Sequence, residues 1–160
     1  MKSVIKYTTA IALLTLLFSF TSTAEKKVKC LIQMDNYTGE GAYIVVSLIN
    51  PQGKYEKTVY VHGKDDEWYH ELTNWWKFYG KKKTSLDGIT GSTIAGGERA
   101  MSVFKIDASK IGKGYKLRFE SAVEAKNYHC PDIEFALTTV NLQKKYNGKG
   151  FIRYIRLLPQ

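Results

Sequence analysis

The sequence predicts an all-β fold, mainly an antiparallel β-sandwich, with one inserted α-helix. Three observations carry this. Seven segments show apolar residues with period two or in short β-branched runs. Clusters of Gly, Pro and Asn separate several of these segments and supply turns. One stretch alone, residues 65–79, repeats its apolar residues at helical spacing.

The first strand is residues 28–34, with Val28, Cys30, Ile32 and Met34 on one face. Residues 43–49 (Tyr-Ile-Val-Val-Ser-Leu-Ile) are apolar and β-branched, which suits a pleated surface. Asn50-Pro51-Gln52-Gly53 has turn composition, and residues 54–61 then place Tyr55, Val59 and Val61 between polar neighbours. These two runs read as a hairpin. In residues 65–79, Trp68, Leu72, Trp75, Trp76 and Tyr79 fall at i, i+4, i+7, i+8 and i+11, one face of a helix. Asp65 can cap its start, Asp66 and Glu67 sit in its first turn, and Gly80 with Lys81, Lys82 and Lys83 suits its end. Residues 81–98 hold Gly88, Gly91, Gly96 and Gly97 with polar neighbours and read as a long loop, a feature usually tied to function or disorder. Strands resume at 101–106, 115–123, 133–140 and 151–157, with turns at 112–114 and 146–150. Seven strands fit the immunoglobulin-like class of sandwich, and a small barrel is the alternative.

The N-terminus has a different character. Lys2 and Lys6 precede an uncharged apolar stretch, residues 10–20, and Ser22-Thr23-Ala24 puts small residues where a signal peptidase reads. The apolar core is about 11 residues, against the roughly 20 a spanning helix needs. Residues 1–24 therefore read as a cleavable signal peptide, and residues 25–160 as a single soluble β-sandwich domain in the periplasm. Val28-Lys29 before Cys30 is not a lipoprotein signature. Removal of the leader leaves 136 residues and lowers the formal charge from +9 to +7. Such a balance favours acidic partners such as anionic lipid or phosphate, although most of the basic residues are scattered as on any solvated surface.

Two cysteines remain, Cys30 and Cys130. Outside the cytoplasm such a pair favours a disulfide, here expected between the first strand and a late loop. Closing about 100 residues would contribute up to roughly 4.7 kcal/mol. No Cys-x-x-Cys is present, and His62, His70 and His129 have no ligand spacing, so neither a redox pair nor a metal site is expected. No Ser-His-Asp order, carboxylate pair or Walker loop points to an enzyme. Export, with no basic-aromatic motif, argues against nucleic acid.

The segment that carries chemistry is Asp87-Gly88-Ile89-Thr90-Gly91-Ser92-Thr93. Read from its residues, it is a tight turn. Gly88 and Gly91 permit positive φ, Asp87 can bond backbone groups two residues on, and the hydroxyls of Thr90, Ser92 and Thr93 are left on a flexible, exposed segment that can enter another enzyme's active site and be modified. The heptad resembles the flavinylation motif of extracytoplasmic flavoproteins, such as the FMN-binding subunits of sodium-translocating quinone reductases. In that motif a FAD:protein FMN transferase esterifies the last hydroxyl to the phosphate of FMN. The resemblance implies covalent FMN on Thr93, with Asp87, Gly88, Thr90, Gly91 and Ser92 forming the recognised segment. Ser92 replaces the commoner Ala.

A second resemblance covers most of the chain after the leader. Gly53-Lys54-Tyr55-x-Lys57-Thr58 in the hairpin, the Trp-rich helix, the heptad and Gly114-Tyr115-x-Leu117-x-Phe119-Glu120 are similar to the periplasmic domain of unknown function 2271. Its members are sometimes labelled as similar to the immunoglobulin-like part of the flagellar hook-cap protein, a likeness of fold and not of function. The family tends to occur with membrane PepSY-type reductases, which implies electron transfer across the envelope.

Two readings follow. In the first, the chain is an electron-transfer flavoprotein, not itself an enzyme, with FMN on Thr93 and a PepSY-type membrane reductase as partner. In the second, it is a cofactor-free immunoglobulin-like binding or structural module. Trp76 is a candidate to stack on the flavin ring, with core packing as the plainer role for the helix aromatics. Lys81, Lys82 and Lys83 could attract a phosphate or an acidic transferase surface, or simply complement the helix end.

Overall fold

A computed structural model describes residues 24–160. The expected signal peptide, apart from Ala24, lies outside the described residues. Nine strands form: β1 (Glu25–Met34), β2 (Tyr43–Ile49), β3 (Tyr55–His62), β4 (Thr90–Gly91), β5 (Arg99–Asp107), β6 (Lys116–Ala122), β7 (Tyr128–Ala136), β8 (Lys145–Asn147) and β9 (Ile152–Pro159). They build two sheets, one ordered β5-β1-β9-β8 and one ordered β4-β3-β2-β6-β7. Every strand pair is antiparallel except β3 with β4. The architecture is an all-β sandwich with one helical segment.

The period of two explains which faces meet. Val28, Cys30, Ile32 and Met34 of β1 are at most 1% exposed and pack against Ile44, Val46, Leu117 and Phe119 of the facing sheet. Strand β2 is buried on both faces because a second cluster, including Val45, Val61, Leu72 and Trp75, lies on the outer side of its sheet. That explains its continuous apolar run. The helical segment covers this outer side. The outer side of the four-stranded sheet carries charged and polar residues instead, with Leu31, Met101 and Val103 among them.

The helical segment departs from the expected single helix over 65–79. A 3₁₀ helix spans Asp66–Glu71, and an α-helix, α1, spans Thr73–Tyr79, with Leu72 between them at φ −82° and ψ 62°. The residues driven into the core are Tyr69, Leu72 and Trp75, spaced by three. A 3₁₀ turn stacks that spacing in line, whereas an α-helix rotates it by about 60° at each step. The tyrosine hydroxyl also donates to the Gly63 carbonyl at 2.9 Å, and the Trp75 indole donates to Thr58 Oγ1 at 2.9 Å. Asp65 caps the start as expected, accepting from the Glu67 amide at 3.1 Å.

The expected Cys30–Cys130 disulfide is not present: both cysteines are free. Cys30 points into the core between the sheets. Cys130 lies on the far side of the five-stranded sheet, with its Sγ 3.6 Å from the Tyr55 hydroxyl. A sheet layer separates the two side chains, so they do not face each other as a bridge requires.

The sixth expected strand is displaced, running Tyr128–Ala136 rather than 133–140. Its first half, Tyr-His-Cys-Pro-Asp, looks like a loop by composition but pairs with β6 across a bulge. The buried carboxylate of Asp132 accounts for this. It accepts from Ser121 Oγ at 2.5 Å and from the amides of Lys149, Gly150 and Ile152 at 2.8, 2.8 and 3.0 Å. These bonds fasten the β8–β9 turn to the other sheet.

Candidate functional site

The heptad is not a free loop. Its turn is built by Gly88 at φ +74° and by the Ile89 amide bonded to the Leu86 carbonyl at 3.0 Å. Asp87 exchanges bonds with Ser85: the Ser85 hydroxyl donates to its carboxylate at 2.8 Å, and the Asp87 amide donates back at 3.2 Å. The chain then runs as β4 beside β3. The Val61 amide donates to Ile89 O at 2.9 Å, and the Gly63 amide donates to Gly91 O at 2.8 Å. Gly91 suits this crossing, because a Cβ there would stand 2.9 Å from the Tyr60 hydroxyl and 3.2 Å from His62 Nδ1.

His62 is the clamp. It is 4% exposed and faces the sandwich interior from the end of β3. Nδ1 lies 3.0 Å from the Ser92 carbonyl and Nε2 lies 2.7 Å from the hydroxyl of Ser102 on β5. A carbonyl only accepts, so Nδ1 carries the proton, and Ser102 donates to Nε2. Burial holds the imidazole below its ordinary range, with the Ser92 carbonyl opposing that shift. One ring thus ties both sheets and the heptad together.

On the other side of Thr93 the chain is held again. Ala42 and Ile94 exchange backbone bonds at 2.8 and 3.2 Å, and the Tyr37 hydroxyl donates to Ile94 O at 2.6 Å. Thr93 lies between these two anchors with its side chain exposed. A cleft of about 130 Å³ adjoins it, lined by Glu40, Gly41, Tyr43, Trp68 and Glu124. Gly41 gives the threonine its room: a Cβ there would come within 2.5 Å of Thr93 Oγ1. Ser92 is exposed, and Thr90 is half-buried within β4.

The site selects among the aromatic residues. Trp68 lines the Thr93 cleft and Trp76 does not; Trp76 instead packs on Tyr79, with ring centroids 5.9 Å apart. The break at Leu72 separates the two indoles. Lys81 and Lys82 line other clefts. His62, Tyr43 and Trp68 escape sequence reasoning as site residues because their partners lie 25 or more residues away along the chain. The one available signal is the glycine pair, Gly41 and Gly91, which marks close backbone approach.

A second buried constellation sits under α1. Glu120 is fully buried and accepts from the hydroxyls of Tyr55, at 2.6 Å, and Tyr128. Burial raises the carboxyl above its ordinary range, offset by the tyrosine bonds and by Arg118. Burial and the neighbouring Glu120 also raise both phenols. The cluster holds β3, β6 and β7 in register.

Among the described residues no group of three or more His, Cys, Asp or Glu could hold a metal ion, and no helix is long and apolar enough to cross a membrane. The residues around Thr93 fit a tethered FMN in part. They present an exposed threonine on anchored backbone beside two aromatic rings, but the cleft is far smaller than a flavin and carries two carboxylates. A flavin held there would rest on the surface. Comparison with curated proteins and with solved structures returns no match. Comparison with protein families matches residues 25–154 to the description "predicted periplasmic protein", and the chain belongs to that family, DUF2271.

Proposed function

We propose that this chain is an extracytoplasmic electron carrier with FMN joined through its phosphate to Thr93. The observation that supports the reading most is the setting of that hydroxyl. Thr93 is an exposed residue, while His62 on one side and the Ala42–Ile94 bridge on the other hold its backbone. A transferase needs an accessible nucleophile in one conformation, and a mobile flavin needs a fixed tether. In the modification, the Thr93 oxygen forms a bond to the FMN phosphorus of FAD as the pyrophosphate bond breaks. AMP leaves, and the hydroxyl proton is released with it.

Bound FMN supplies one- and two-electron chemistry. The protein's part is to hold the tether and to offer Trp68 and Tyr43 as an apolar rest beside it. A membrane reductase of PepSY type is the proposed partner, and the surface position of Thr93 favours electron exchange with it. A cofactor-free binding module is the second reading, favoured by the small size of the Thr93 cleft and by the carboxylates of Glu40 and Glu124. Co-expression with the transferase separates the two. The first reading expects an intact mass raised by one FMN less one water and a fluorescent band in a denaturing gel. Thr93→Ala removes both signals, and Thr93→Ser keeps them. An unmodified wild type in the presence of active transferase refutes the carrier reading.

A further inference from the structure

The outer face of the four-stranded sheet is the uncovered face of the sandwich. Antiparallel register puts alternate residues of all four strands on it, in rows. Lys29 stands between Val103 and Leu158, Leu31 between Met101 and Arg156, and Lys27 opposite Lys105. Arg99 and Lys145 complete the set of cations, Lys145 lying opposite Arg156 with its ammonium 4.0 Å above the Tyr154 ring. These strands bring six cations to the face and only two carboxylates, Glu25 and Asp107, both at one end. Glu25 is already paired with Lys105 at 2.8 Å, and Asp107 is engaged by the amide and hydroxyl of Ser109. Between the cations, Met101, Val103 and Leu158 project into solvent, 55%, 47% and 41% exposed. They are three of the four large apolar side chains that stand exposed among the described residues.

We infer that this face docks on an anionic phospholipid bilayer. The charge says that the partner is negative, and the spread of that charge says more. The cations lie in rows over one sheet face with apolar side chains standing among them. A bilayer takes both at once, phosphates against the ammonium and guanidinium groups and the interface against Met101, Val103 and Leu158. It also needs no shape complementarity from this face, which an acidic protein would. Docking this way leaves the helix-covered face turned from the membrane. The inference does not depend on FMN, so the two stand or fall separately.

Sedimentation with vesicles tests it on the purified exported protein. Wild type should bind vesicles containing phosphatidylglycerol, not pure phosphatidylcholine, and binding should fall as salt rises. Lys29→Gln with Arg156→Gln should lower partitioning about 25-fold, from roughly fivefold per basic residue at a charged membrane surface. Met101→Ser with Val103→Thr should weaken the part of binding that survives salt. The control is Lys81→Gln with Lys82→Gln, which removes the same charge elsewhere and should leave partitioning within about twofold of wild type. Urea unfolding of each variant shows that it is folded. The inference is overturned if wild type ignores anionic vesicles, if it binds phosphatidylcholine equally, or if face and control variants lose binding alike. Association with an acidic protein in place of vesicles also overturns it.

Discussion

Replacing His62 by alanine should reveal how much one ring contributes where two sheets and the heptad meet. The imidazole donates to the Ser92 carbonyl at 3.0 Å and accepts from the Ser102 hydroxyl at 2.7 Å. Ser102 is 2% exposed, so removal of the ring leaves its buried hydroxyl without a partner, and the part-buried Ser92 carbonyl loses its bond. At about 1–3 kcal/mol for the orphaned hydroxyl and about 0.5–1.5 kcal/mol for the lost carbonyl bond, the loss is about 1.5–4.5 kcal/mol, before any cost of the cavity. Urea unfolding at pH 7.5 measures it as a fall in midpoint at constant slope. His62→Gln should cost less, since an amide offers one donor and one acceptor. The pH dependence gives an independent check. Burial depresses the folded-state pKa of this histidine below 6.5, so its contribution is present above pH 6.5 and lost as pH falls through the depressed value. Between pH 7.5 and 5, wild type should therefore lose more stability than His62→Gln. A His62→Ala protein within 1 kcal/mol of wild type, or identical pH profiles for wild type and His62→Gln, would refute the clamp.

Two further predictions concern the buried carboxylates. Asp132→Asn keeps one oxygen but turns an NH₂ toward at least one backbone amide that now donates to a carboxylate oxygen, so it should cost about 1–3 kcal/mol in urea unfolding; a loss below 0.5 kcal/mol would show that the turn does not depend on this carboxylate. Glu120 has a folded pKa raised above 4.5, so its contribution is full below pH 4.5 and lost as pH rises through the raised value; Glu120→Gln should flatten the stability profile over that window, and an unchanged profile would refute the assignment.

The strands were legible where one physical rule governed them. Residues 43–49 coincide with β2, and 28–34 lie within β1, because burial of alternate or continuous apolar side chains is written directly into composition. The rule failed where pairing was decided by partners distant in sequence. Residues 128–132 read as loop, yet they form β7 because Asp132 collects donors from a turn 17 to 20 residues later. Residues 146 and 147 read as part of a turn, yet β9 recruits Lys145–Asn147 as an edge strand, and Thr90–Gly91 is a strand only because β3 lies beside it. The helix is legible as an apolar face but not in its period, since Tyr69, which lies outside the i, i+4, i+7, i+8, i+11 set, is buried with Leu72 and Trp75.

For the site, the sequence by itself determined the segment. The order Asp87 to Thr93, with glycines at two positions, is a local property that survives without any fold. Its surroundings were decided only by tertiary structure. Which indole stands near Thr93 depends on where the helical segment breaks, and that break answers to burial of Tyr69, Leu72 and Trp75 together. That Cys30 and Cys130 stay apart depends on which face of which sheet each strand presents, and spacing along the chain carries no such information. Periodicity assigns residues to faces, whereas the contact of one face with another follows from how two sheets close over a shared core.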